Sequence, residues 1–161
     1  MILQYFKKKE NEYKKKADKI YSISLNSSKK ILNDNSFIKV NFDSSFEIIA
    51  IILIFYLKIL KNNKGNKNNE VGNYLVKNLI TDLDNTFREE GIGDMSIGKH
   101  VKKYVKKFYY RIKIIDPIIQ VNDKNKFTKY VGSLKYVDKD SCNKIAQDLL
   151  DVYERIKKNI R

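Results

Sequence analysis

Residues 81–111 read TDLDNTFREEGIGDMSIGKHVKKYVKKFYYR, and the fold turns on how this stretch is parsed. Leu83 and Phe87 extend an apolar stripe begun by Val71, Tyr74, Leu75 and Leu79, the spacing of a helix with one face inward. Gly91 then stands where a helix C-cap glycine belongs, because the left-handed backbone needed there costs glycine nothing. Asp94 or Ser96 offers the next N-cap. A second stripe follows: Ile97, Val101, Tyr104, Val105, Phe108, Ile112 and Ile115. The stretch therefore predicts a helix, a glycine-rich turn over 88–98, and another helix.

The same corner contains a misleading motif. Residues 93–99, G-D-M-S-I-G-K, match the first seven positions of the phosphate-loop pattern G-x-x-x-x-G-K-[ST]. That loop works because a strand delivers a glycine turn onto a helix start, where amide groups converge on phosphate. Here a helix precedes the glycines. His100 stands where a magnesium-binding hydroxyl is required, and no apolar strand ending in a carboxylate follows. The context argues against nucleotide hydrolysis.

Working outward, the chain reads as one all-α domain of about six helices, over 10–27, 45–61, 70–90, 94–115, 125–136 and 141–160. Residues 1–9 form a basic N-terminal tail, and the helical domain occupies 10–161. One proline and six glycines force few breaks, and 42% hydrophobic content is compatible with a packed core despite 32% charged residues. Residues 28–45 form a polar connection with short-strand character at 37–42, and 62–69 (NNKGNKNN) a solvated loop. The second helix carries ten unbroken apolar residues, 48–57, bracketed by Glu47 and Lys58. Ten is short of the roughly 18–20 that span a hydrocarbon core. The expectation is a central helix buried on all sides, with shallow membrane insertion as the alternative. The helix starting near Asp94 ends before Pro117.

The charge is +14, from 33 basic and 19 acidic residues, yet only four of the basic residues are arginine. Lysine, asparagine and isoleucine are over-used together, as in AT-rich genomes, so part of the charge is codon drift. The remainder still draws the surface toward phosphate-rich partners such as nucleic acid, ribosome or anionic membrane. Lys99, Lys102, Lys103, Lys106 and Lys113 share the face opposite the second stripe; Tyr109 and Tyr110 lie beside them. Two readings stay open for that ridge: a solvated bundle face, or a contact for an anionic surface. The tyrosines likewise either roof the core or stack at an interface.

Candidate chemistry is sparse. Asp82 and Asp84 point about 200° apart on a helix and cannot chelate one ion together. Their spacing instead suggests local pairs with Thr86 and Arg88. His100 is the only histidine and Cys142 the only cysteine, which excludes a zinc cluster and an intrachain disulfide. No serine or cysteine has a plausible triad. No catalytic residue, cofactor or metal ligand is expected.

The run DLDNTFREEGIGDMSIGKHVKKYVKKFYYR resembles the signature of the ubiquinol–cytochrome c chaperone family. The matching residues are Asp82, Asp84, Arg88, Glu89, Gly91, Gly93, Asp94, Gly98, Lys99, Lys102, Lys103, Phe108, Tyr109 and Arg111. Weaker similarity covers ADKIYSISL, FEIIAIILIFYLKIL and KYVGSLKY. Relatives tend to carry Gly-Arg where this chain has Ser44 and Ser45, and often a histidine at Ile52.

The resemblance implies an all-helical, non-enzymatic chaperone that engages newly made cytochrome b for assembly of respiratory complex III. It also implies work near the ribosome with a small helical co-chaperone. With no presequence evident, the chain looks more like the bacterial members, working in the cytoplasm peripherally at the inner membrane (the matrix face in mitochondria). On that basis Lys99, Lys102, Lys103, Lys106 and Arg111 are candidates for an anionic-surface contact. Ile48, Ile52, Phe55, Tyr104, Phe108 and Tyr109 are candidates for a client groove. The alternative is a basic helical ribosome- or nucleic-acid-binding module without a membrane-protein client.

Overall fold

The computed structural model describes residues 2–33, 40–63 and 65–160. Six helices follow in order: α1 (Ile2–Leu32), α2 (Phe42–Asn62), α3 (Asn66–Glu89), α4 (Asp94–Gln120), α5 (Lys124–Gly132) and α6 (Cys142–Asn159). A single 3-10 turn, Lys139–Ser141, leads into α6. No β-strand occurs among the described residues, and Phe42 is helical; positions 37–39 of the expected strand-like segment lie outside them.

Helix α2 is the axis of the bundle, in contact with α1, α3, α4 and α6. Every residue from Phe46 to Tyr56 is buried. A helix apolar all round has no stable place except among other elements, and the neighbours supply matching stripes. Helix α3 turns Val71, Leu75, Leu79, Leu83 and Phe87 inward at a four-residue repeat. Tyr74, expected in that stripe, is only half-buried, and its hydroxyl donates to Glu10 of α1. Helix α6 supplies Ile145, Ala146, Leu149, Val152 and Ile156. Among the described residues no helix is long and apolar enough to cross a membrane.

Several helices outrun their sequence signals. The buried face of α1 continues through Ser24, Ser28, Ile31 and Leu32. The serines hide the pattern because they are polar, but each satisfies its hydroxyl on its own helix: Ser24 donates to the Ile20 carbonyl and Ser28 to that of Leu25, both at 2.8 Å. Helix α2 starts earlier than residue 45 because Asn41 and Ser44 form a reciprocal capping box. Ser44 N–H donates to Asn41 Oδ1 at 3.0 Å, and Asn41 N–H donates to Ser44 Oγ at 2.8 Å.

Helix α4 runs through Pro117 instead of ending before it. The proline falls near the helix end, where it removes one backbone donor, and buried Ile115 and Ile119 hold the last turn on the core. Helix α5 ends earlier than expected. Gly132 closes α5 against the start of α6, where a Cβ would lie in ordinary contact with Cys142 Sγ at 3.5 Å.

Candidate functional site

The glycine corner is a structural joint. Ile92 N–H bonds the Phe87 carbonyl at 3.0 Å and Gly91 N–H that of Arg88 at 3.0 Å, the two bonds of a Schellman ending. Gly91 has φ +79°, with nothing within 4 Å of where a Cβ would stand. A Cβ has room at Gly91, so the cost of Gly91→Val should be chiefly backbone strain, about 1–2 kcal/mol. Urea unfolding of that variant against Gly91→Ala and the parent checks it.

The next helix is capped by Gly93, not by Asp94 or Ser96, and no side chain contributes to the cap. Residues 94–99 are helical and Gly98 lies inside α4, so the phosphate-loop pattern has no loop behind it.

Charged side chains of the signature fasten this joint. Arg88 Nε donates to Asp84 Oδ2 at 2.7 Å, as the four-residue spacing suggests, and Arg88 Nη1 also donates to Asp94 across the turn. Asp82 differs from expectation. Thr86 bonds only its backbone carbonyl, while its carboxylate accepts from Tyr21 of α1 at 2.8 Å. Burial, with that carboxylate beside it, pushes the Tyr21 phenol well above its ordinary range. His100 packs its ring 5.5 Å from Phe87.

Between α2 and α4 lies a second cluster. The Glu47 side chain is 3% exposed. Arg111 grips it with two bonds, Nε to Oε2 at 2.9 Å and Nη2 to Oε1 at 2.7 Å. Lys107 Nζ adds a contact at 2.9 Å and lies over the Phe46 and Tyr104 rings. The Tyr104 hydroxyl donates to Asp43 at 2.8 Å. Burial would raise the Asp43 carboxyl, but Tyr104 and Lys107 outweigh it and hold the group below its usual range. Arg111 is likewise pushed up, first by its hydrogen bonds to Glu47.

Arg111 is therefore not part of the exposed ridge. It sits on a different face of α4, occupied by a buried carboxylate. The sequence does not single out Lys107 or Asp43, and it marks Glu47 only as the edge of the apolar run. The available signal was two pairs four residues apart, 43/47 acidic and 107/111 basic, each on one side of its helix.

The rest of the ridge is exposed as expected: Lys99, Lys102, Lys103, Lys106 and Lys113 all face solvent. None makes an ion pair among the described residues. Tyr109 and Tyr110 stand beside them at 50% and 58% exposure, and Met95 is fully exposed.

The residues expected to line a client groove form no groove. Ile48, Ile52, Phe55, Tyr104 and Phe108 are buried in the core, and only Tyr109 reaches solvent. Helices α2 and α4 are zipped together by the Glu47 cluster and by aromatic contacts, such as Phe46–Tyr104 at 4.9 Å. An apolar groove does open elsewhere along α2. About 220 Å³ lies between α1, α2 and α3, lined by Leu25, Leu32, Phe42, Phe46, Ile49 and Leu83, with Lys29 and Asp82 at its edge. A cleft of about 610 Å³ at the C-terminal ends of α2, α4 and α6 is polar and mixed in charge. Its Lys58 is already bound to Asp116 at 2.8 Å.

Helices packed round a largely apolar axis, with an open groove and a basic face free of ion pairs among the described residues, define a single-domain all-helical bundle. The sequence profile of the ubiquinol–cytochrome C chaperone family matches residues 37–154, and the chain belongs to that family. The crystal structure of the Cbp3 homolog from Brucella abortus is similar, with TM-score 0.77 and 18% identity. The superposition covers 98% of this chain and 89% of that one, and shows a shared fold. No curated protein gives a significant sequence match.

Proposed function

We propose that this protein is a non-catalytic assembly chaperone that binds newly made cytochrome b and promotes assembly of respiratory complex III. The observation that carries the reading is the family match over 37–154, which includes the α3–α4 corner and the apolar helix. The geometry supports a binding role in two places. The groove between α1, α2 and α3 offers apolar wall to one or two side chains of a client segment. The unpaired lysines of α4 offer a long basic face by which the protein would be held beside the site of membrane-protein synthesis, peripheral to the inner membrane. A small helical co-chaperone is a further partner in this reading.

A ribosome- or nucleic-acid-binding module without a client draws on the same lysines and on the burial of α2. The open groove beside α2 favours the chaperone. Loss of the gene tests it: complex III should fail to assemble while the other respiratory complexes persist.

A further inference from the structure

On helix α4, Met95, Lys99, Lys102, Lys103, Lys106, Tyr109, Tyr110 and Lys113 project within an arc of about 120°, at 3.6 residues per turn. The row is about 27 Å long, from a rise of 1.5 Å per residue. No carboxylate falls within it. The helix beneath is fixed, because Ile97, Tyr104, Phe108 and Ile115 are buried and the Glu47 cluster ties its middle to α2. The face is thus a row of ammonium groups with no ion pair among the described residues, Lys103 lying 5.7 Å over the Tyr104 ring, with a bare methionine at one end and two half-exposed tyrosines near the other.

Phosphate groups of either a nucleic acid or a lipid headgroup would satisfy those ammonium groups. The rest of the face separates the two. Base recognition favours arginine, whose planar fork matches base edges, and the two arginines nearest this face, Arg88 and Arg111, are each taken up by carboxylates elsewhere. Long lysine stems, tyrosines and an exposed methionine instead suit the boundary between headgroups and acyl chains. There an amphipathic tip sits at the polar level and an apolar one below it.

We propose that the exposed face of α4 docks the protein flat on an anionic lipid surface, with Met95 entering the headgroup layer and Tyr109 and Tyr110 lying at it. This rests on the reading of these lysines as a docking surface. It names the lipid headgroup as the source of the phosphate.

The chain has no tryptophan, so Met95→Trp supplies a single reporter at a fully exposed position. With vesicles one-third phosphatidylglycerol in phosphatidylcholine, its emission should shift to the blue, and high salt should reverse the shift. Phosphatidylcholine vesicles should leave it unmoved. The triple variant Lys102→Glu, Lys103→Glu, Lys106→Glu should lose about tenfold or more in vesicle partitioning. Lys14→Glu, Lys15→Glu, Lys16→Glu on α1 makes the same charge change away from the face and should retain most of the binding. All six lysines are exposed, so circular dichroism should show both triple variants folded.

The proposal is overturned by any of three results: no blue shift on anionic vesicles, equal loss in both triple variants, or displacement from vesicles by ribosomal RNA at matched phosphate. Complementing a deletion strain with the α4 variant separates the two readings. If vesicle binding fails while complex III still depends on the gene, only the lipid face falls.

Discussion

Arg111→Met should lower unfolding stability by about 3–5 kcal/mol, the range for removing one partner of a buried ion pair. Methionine keeps the apolar stem and removes the guanidinium. Glu47 then loses both hydrogen bonds from Arg111 in a pocket where its side chain is 3% exposed. Lys107 still reaches one carboxylate oxygen at 2.9 Å, which places the expected loss toward the lower end. Urea titration of the variant measures the cost. Adding Glu47→Leu should then recover much of it, because an apolar pair of similar volume tolerates the same burial. A loss under about 1 kcal/mol in the single variant would show that this pair does not hold α4 to α2.

Phe55→Ala should cost a similar amount, about 3–5 kcal/mol. Phe55 is fully buried, with its ring 5.1 Å from that of Tyr153 on α6 and 5.9 Å from that of Phe127 on α5. Removing it opens a void at the junction of three helices whose backbones cannot all close in. At this chain length the melting temperature should fall by roughly 6–20 °C. The prediction also distinguishes two roles. If Phe55 served chiefly as a client contact, alanine there would weaken client binding and leave the melt almost unchanged.

The fold was legible because its strongest signals are local. The stripe at 71, 75, 79, 83 and 87, the glycine at 91 and the apolar run at 48–57 each specify one thing. A helix end is less legible where polar residues lie inside it. Ser24 and Ser28 read as surface until their hydroxyls are seen bonded to their own helix, and Pro117 reads as a stop until Ile119 is seen buried beyond it.

The candidate site was legible in its exposed half. A lysine row opposite an apolar stripe must face solvent, and it does. The buried half depended on which helix faces which. Nothing in the spacing of Glu47 or Arg111 alone says that they meet, and by sequence Arg111 falls in with lysines that it does not join. The groove is hidden for the same reason: an apolar helix announces that it will be covered, but not which of its neighbours leaves a gap.

As proposed, this chain serves complex III through its cytochrome b. The most direct measurement is the haem b spectrum and native-gel profile of respiratory complexes in cells lacking the gene, with and without the gene restored. Cytochrome b and complex III should be lost while the other complexes persist, and the restored gene should return both. Unchanged cytochrome b and complex III in the deletion strain would contradict it.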